Sequence, residues 1–331
     1  MTHLTEPLNS GRLSLKNRLV MPPMATAKAD ETGKVSKALL DYYHEKSLGG
    51  YLSLIIIEHS FVSQSGKASE HQLSVAGDEM VEGLKTLAGV MHSNGSKTMM
   101  QINHAGSAAN KTITGLDPVG PSAVENPRKQ NVPRELSREE IKAVIGLYRD
   151  ASVRVQKAGF DGVEIHSAHG YLLNQFYSPL TNKRKDEYGG DTSGRIKIHL
   201  DIIRAIREAA GAEFSIAVRL GASDYMEGGT TIDDSVRAAK EFEKAGVDML
   251  DISGGFCGFI VPGLSGQGYF AELTEAIKKV VSIPVMLTGG ITDANAAEKL
   301  LSEGKADLIG VGRAIYSDSK WAEKAMKNVQ G

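Results

Sequence analysis

Cysteine is nearly absent from this 331-residue chain, in which Cys257 stands alone. No disulfide can close within it, and it cannot supply an all-cysteine metal site or a cysteine-held iron–sulfur cluster. Long apolar runs are missing too. The longest, Leu54 to Ile57, is four residues, against roughly 20 for a helix that crosses a bilayer. The opening MTHLTEPLNSGRLSLKNRL contains no apolar segment of the kind a secretory leader needs, so a cytoplasmic protein is expected. Charge of one sign is missing as well: 38 Lys and Arg face 40 Asp and Glu. Without a basic stripe, nucleic acid is not an expected partner, and a small metabolite fits better. Finally, no GxGxxG joins an early strand to a helix, which argues against a doubly wound dinucleotide-binding sheet. GLSGQG (263–268) reads as a glycine-rich loop.

Short β-rich runs are present, and they alternate with amphipathic stretches. The strand candidates are Leu19–Met24, Leu52–Glu58, Thr98–Asn103, Gly162–His166, Ser215–Leu220, Met249–Ser253, Pro284–Thr288 and Asp307–Gly312. LSLIII and DLIGVG lack polar–apolar alternation, as expected of parallel strands buried on both faces. Ser137 with Glu140 forms a capping box before a helix. TTIDDSVRAAKEFEKAGVD opens with cap chemistry and ends at Gly246, and TDANAAEKLLSEGKAD repeats that plan up to Gly304. Eight strands separated by helices imply an α/β fold, a closed (β/α)8 TIM barrel, with residues 1–331 forming a single domain. Two connections are long, those after strands 3 and 4. They lie at the C-terminal strand ends, where barrels build their active sites.

Strands seven and eight end in LTGGIT and GVGRAI. Glycines there let backbone N–H groups approach an anion and Arg313 adds a charged fork, so a phosphate is expected at this pair of loops. GVEIHSAHGYL (162–172) places His166, His169 and Tyr171 at the end of the fourth strand. An H-x-x-H pair can bind metal, with Glu58 or His104 as distant partners. It can also fill a polar corner, or aim two donors at one acceptor. No third ligand follows at metal spacing, so no metal is expected. Glu58, His59, Gln101, Asn103, Arg219 and Ser253 also stand at strand ends. Arg219, inside the apolar IAVRLGA, needs an anionic or strongly polar partner.

The motifs LKNRLVMPPM (15–24), QINHAG (101–106), GFDGVEIHSAHGYLLNQFYSPLTNKRKDEYGG (159–190), VRLGASDY (218–225), LTGGI (287–291) and ADLIGVGR (306–313) resemble, in order and over nearly the whole chain, those of the Old Yellow Enzyme family. These are FMN-dependent ene-reductases. The resemblance implies a barrel with FMN at its C-terminal mouth, a short N-terminal β-hairpin closing the bottom, and NADH or NADPH as hydride donor. It implies that Pro22, Pro23, Met24 and Ala25 pass along the flavin ring and that Gln101 meets its pyrimidine edge. Arg219 would lie near N1 and C2=O, with His59, Ser253 and Gly254 also at the cofactor. Gly289, Gly290, Gly312 and Arg313 would take the phosphate. His166 and His169 would hold a substrate carbonyl oxygen, and Tyr171 would donate a proton. The reaction implied is reduction of an activated C=C bond in an enone or enal. Dehydrogenation or demethylation on the same scaffold, or flavin binding with low catalytic competence, are the alternatives. Relatives are often dimers or tetramers. Several positions depart from the family pattern: Ala25 replaces Cys or Thr, Ala27 a Tyr of one subgroup, and His59 a small residue. Ser107 stands for a frequent Arg and Gly194 for a frequent Asn.

Overall fold

The computed structural model describes residues 2–330. An antiparallel hairpin, β1 (Leu8–Ser10) and β2 (Leu13–Leu15), comes first. Eight parallel strands then close into a barrel: β3 (Leu19–Met21), β4 (Leu54–Phe61), β5 (Lys97–Asn103), β8 (Gly162–Ser167), β9 (Ser215–Gly221), β10 (Met249–Ser253), β11 (Val285–Leu287) and β12 (Leu308–Gly310). Neighbours in sequence are neighbours in the ring, and β12 closes on β3. This is the expected (β/α)8 TIM barrel. Two short strands, β6 (Val119–Gly120) and β7 (Arg134–Glu135), pair within the long connection after β5.

The strands lack alternation because both faces are buried; every residue of β8 and β9 is. Outward-facing Ile55, Ile57, Met100, Ile102, Val163 and Ile165 pack against the surrounding helices. The inward set divides into two levels. Val20, Leu54, Ile56, Met99, Ala217, Met249, Met286 and Leu308 form an apolar plug with Leu8, Leu13 and Leu15 of the hairpin. Two residues beyond Met99, Ala217, Met249 and Met286, on the same face by strand periodicity, stand Gln101, Arg219, Asp251 and Thr288. The barrel interior is therefore apolar below and polar above.

Local chemistry fixes the helices. Ser137–Glu140 and Thr231–Asp234 form complete capping boxes at Arg138–Lys157 and Ile232–Ala245, and the latter ends on Gly246 in the left-handed region. The helix Ala294–Ser302 stops two residues before Gly304, whose φ is +69°. Boundaries moved elsewhere for physical reasons. The first barrel strand ends at Met21, not Met24, because Pro22 and Pro23 have no N–H for a ladder. The second starts at Leu54 and reaches Phe61, with a register shift between Ile57 and Ser60.

Candidate active site

A cavity of about 280 Å³ opens at the C-terminal end of the strands. Its wall includes Pro22, Pro23, Met24, Ala25, His59, Gln101, His166, His169, Tyr171, Arg219, Gly289, Gly290, Gly312 and Arg313. Fourteen of the residues singled out by sequence thus meet on one surface.

His166 is inward-facing on β8, at the level above Glu164. Its Nδ1 is buried and has no hydrogen-bond partner in the protein. His169 is placed by a turn: its φ is +61° and that of Gly170 +77°, a pair of left-handed residues that folds the chain back after the strand. Asn174 Oδ1 fixes this turn by accepting from the Gly170 N–H (2.7 Å), and Arg128 Nη1 donates to the His169 carbonyl (2.9 Å). The two imidazole centroids lie 5.1 Å apart at 86°. The Tyr171 ring is 5.1 Å from His166. Tyr171 immediately precedes the short helix Leu172–Tyr177, all of it buried, and makes no capping bond to it with its side chain.

The block that follows is scaffold. Arg184 pairs with Asp186 (2.6 Å) and donates to the carbonyls of Pro121 and Leu136, while Arg195 donates to Tyr177 O and pairs with Asp234. These charged side chains lock the long loop against the barrel so that the strand end above it keeps its shape.

Electrostatics set the protonation states. Burial pushes His166 well below the ordinary imidazole range, and His169, Arg219 and His59 add to this. His169 is lowered by burial and then by Arg219 and Arg128. Both rings are neutral at physiological pH, each presenting one N–H donor. Burial raises the Tyr171 phenol above its usual value, with Arg128 opposing, so it remains protonated.

His59 reaches the cavity through an irregularity. Counting alternately from inward-facing Ile56 would turn Glu58 inward and His59 outward, but the register shift between Ile57 and Ser60 re-aims both. His59 stacks on Tyr171 at 5.5 Å and 25°, with its pKa lowered to about 4 by burial and Arg219. Glu58 turns instead to Thr26 Oγ1 (2.6 Å) and Tyr43 OH (3.3 Å). It therefore braces the segment that follows Pro22–Ala25. Ser253 and Gly254, expected at the cofactor, do not reach the cavity wall. The Ser253 hydroxyl meets His169 Nε2 at 2.8 Å and the Gly254 carbonyl accepts the His169 N–H, so both sit behind that histidine. Asn103 also stays out of the cavity, its amide buried and unpartnered. Glu58 and His104 do not converge on the histidine pair, and no cluster of three His, Cys, Asp or Glu suited to a metal occurs among the described residues.

Beneath the cavity lies a group that sequence reading missed. Gln101 Nε2 donates to Glu164 Oε1 (2.8 Å), and Arg219 Nε stands 3.2 Å from Asp251 Oδ2. Glu164 and Asp251 are fully buried. The available signal was a carboxylate inside an otherwise apolar strand, GVEIH and MLDIS.

The match to known proteins spans the chain. Residues 3–331 fit the model of the NADH:flavin oxidoreductase / NADH oxidase family. The chain belongs to that family. An NADH oxidase of Thermoanaerobacter brockii is 43% identical over all of this chain and 52% of its own length. An NADPH dehydrogenase of Clostridium acetobutylicum is 37% identical over 92% of this chain and 88% of its own. The chain thus spans about half the length of the first of these relatives and most of the second. Among solved structures, the Old Yellow Enzyme homologue from Zymomonas mobilis superposes with a TM-score of 0.86 at 27% identity, covering 98% of this chain and 92% of its own.

FMN is the cofactor of this family, and the cavity fits it. The backbone N–H groups of Gly290, Ile291, Gly312 and Arg313 bond to no protein acceptor and line one end, beside the exposed Arg313 side chain. Such a cradle suits a phosphate. A Cβ at Gly312 would lie 2.8 Å from Met24 Sδ, and one at Gly290 2.3 Å from the Gly266 carbonyl, so side chains there would close it. At the other end Gln101 and Arg219 offer polar groups to a heterocycle edge, and Pro22–Ala25 offer an apolar face. No helix of the described residues is long and apolar enough to cross a membrane.

Proposed function

We propose that the protein is an FMN-dependent NAD(P)H oxidoreductase that reduces the activated C=C bond of α,β-unsaturated carbonyl compounds. The observation that carries this reading is the convergence of two neutral, perpendicular imidazoles and a protonated phenol on one cavity wall. Bound FMN would supply a hydride, drawn from NADH or NADPH, to the substrate β-carbon. Charge then grows on the carbonyl oxygen, and the N–H groups of His166 and His169 stabilise it as an oxyanion hole does, each worth about 3 kcal/mol. Tyr171 holds the proton that the α-carbon needs and releases it as that charge collapses, so hydride and proton together saturate the bond. Ser253 fixes the ring orientation of His169 by holding Nε2. Gln101 and Arg219 would hold the pyrimidine edge, Pro22–Ala25 the ring face, and Gly289, Gly290, Gly312 and Arg313 the phosphate. A single barrel domain over residues 1–331, working as a homodimer or tetramer, completes the proposal.

The test is an absorbance spectrum of the purified protein with FMN. The flavin bands should bleach with anaerobic NADH or NADPH and return on adding cyclohexenone. A protein that never retains FMN would overturn the reading. Oxidation of saturated ketones faster than enone reduction would replace it with a dehydrogenase.

A further inference from the structure

The polar level of the barrel interior holds more ionisable groups than flavin binding calls for. Gln101 on β5, Glu164 on β8, Arg219 on β9 and Asp251 on β10 occupy neighbouring strands: Gln101 lies opposite Glu164 and Arg219 opposite Asp251, while across β8 and β9 Arg219 faces His166, one level above Glu164. The two carboxyls are wholly buried; Arg219 pairs with Asp251, and Glu164 feels the charges of both without touching the guanidinium. Glu164 Oε2, both oxygens of Asp251 and Arg219 Nε lack a properly aligned hydrogen-bond partner. The 3.2 Å Arg219–Asp251 contact is therefore an ion pair without hydrogen-bond geometry.

Resting on the flavin reading above, we propose that Glu164, Arg219 and Asp251 form a proton store beneath the cofactor, and that Asp251 takes up a solvent proton when the cofactor is reduced and returns it on reoxidation. With both acids ionised, two negative charges would face one positive charge in a dry interior, an arrangement that burial strongly penalises. One proton is accordingly held at rest. Glu164 is the group that holds it: burial and then the Asp251 charge push its pKa far up. Asp251, raised to about 6 by burial and restrained by Arg219, is ionised at neutral pH and balances the guanidinium.

A hydride from NADPH brings two electrons and one proton, so the reduced cofactor carries one additional negative charge. Arg219 lines the cavity, and on the flavin reading it is the cation that meets that charge. As it turns from Asp251 to the cofactor, Asp251 loses its counter-charge and binds a proton. Reoxidation by substrate removes the hydride and reverses the change. The other groups in Arg219's field do not compete. His59, His166 and His169 are all pushed down, His59 to about 4, and Tyr269 is raised, so none titrates where Asp251 does.

The holoenzyme's midpoint potential, measured against pH by dye equilibration, reads this directly. One proton taken up with each electron pair changes the reduction equilibrium tenfold per pH unit, ~30 mV for a two-electron couple. Above about pH 6 the wild type should show that additional slope. Asp251→Asn and the double variant Glu164→Gln/Asp251→Asn should lack it. A wild-type measurement needs no variant: the reduced-minus-oxidised infrared difference spectrum should gain a protonated-carboxyl band that shifts in D2O. Equal slopes in wild type and D251N, or no such band, would overturn the proposal while leaving the flavin reading intact. Failure to bind FMN would overturn both.

Discussion

On the proposed mechanism, replacing His166 by Ala would remove one of two donors to the substrate oxygen, and the loss can be bounded from its surroundings. His166 is 2% exposed, has an unpartnered Nδ1, and is neutral. Its contribution is therefore that of a desolvated N–H at a developing oxyanion, about 3–4 kcal/mol or 10²–10³ in rate. The loss should fall unevenly. Enone reduction builds charge on an oxygen, whereas hydride donation by a nicotinamide builds none. Stopped-flow measurement of the two half-reactions separates them: reoxidation of the reduced enzyme by cyclohexenone should slow by about 10² or more, and reduction by NADPH should change much less. His166→Asn, which restores an N–H on a shorter arm, should recover part of the loss. Because both imidazoles are already neutral, neither should impose a pH dependence on the enone step between about pH 6 and 8. Enone reoxidation within about threefold of wild type in His166→Ala would refute the oxyanion role, since it corresponds to less than 1 kcal/mol.

Three further outcomes are expected. Tyr171→Phe removes the buried acid and should slow reoxidation by enones by about 10²–10⁴ with flavin reduction largely intact; an unchanged rate means that the proton comes from elsewhere. Ser253→Ala frees His169 Nε2. It should cost about 1 kcal/mol in the enone step, roughly fivefold, with FMN affinity unchanged; weakened FMN binding would instead return Ser253 to the cofactor. Glu58, raised to about 7 by burial, binds protons more tightly folded than unfolded, so its contribution to stability is present below about pH 4.5 and lost as pH rises through about 7. Glu58→Gln should therefore gain on wild type over that range by on the order of 3 kcal/mol, read from paired denaturation curves; parallel curves would refute it.

The barrel was legible because its strands are buried on both faces and read as apolar runs, and because Gly and cap residues punctuate the helices. The site was legible where side chains end strands: His166, Gln101 and Arg219 point inward by simple alternation. It failed where alternation breaks. The register shift that swaps Glu58 and His59 depends on pairing with β5, which no local pattern reveals. The helix Leu172–Tyr177 lies in what read as a loop, because its six residues are all buried and carry no amphipathic period. Ser253 and Gly254 were placed by family resemblance at the cofactor, yet the turn at His169 and Gly170 folds the chain back so that His169 stands between them and the cavity.

The hairpin plug has an effect beyond closing the barrel. Leu8, Leu13 and Leu15, with the eight inward side chains above them, interpose an apolar layer between the lower solvent and the buried carboxyls. That layer acts as an insulator. A polar-edged cavity of about 160 Å³, with Lys97, Asp161 and Glu213 in its wall, reaches the lower side of this layer at Leu13, Leu15, Leu54 and Met99, so the apolar side chains above it are what would confine the proposed proton exchange of Asp251 to the cofactor side. Hairpin substitutions that let water into this layer would short-circuit that path, speeding proton exchange at Asp251 without touching a single residue of the cavity wall.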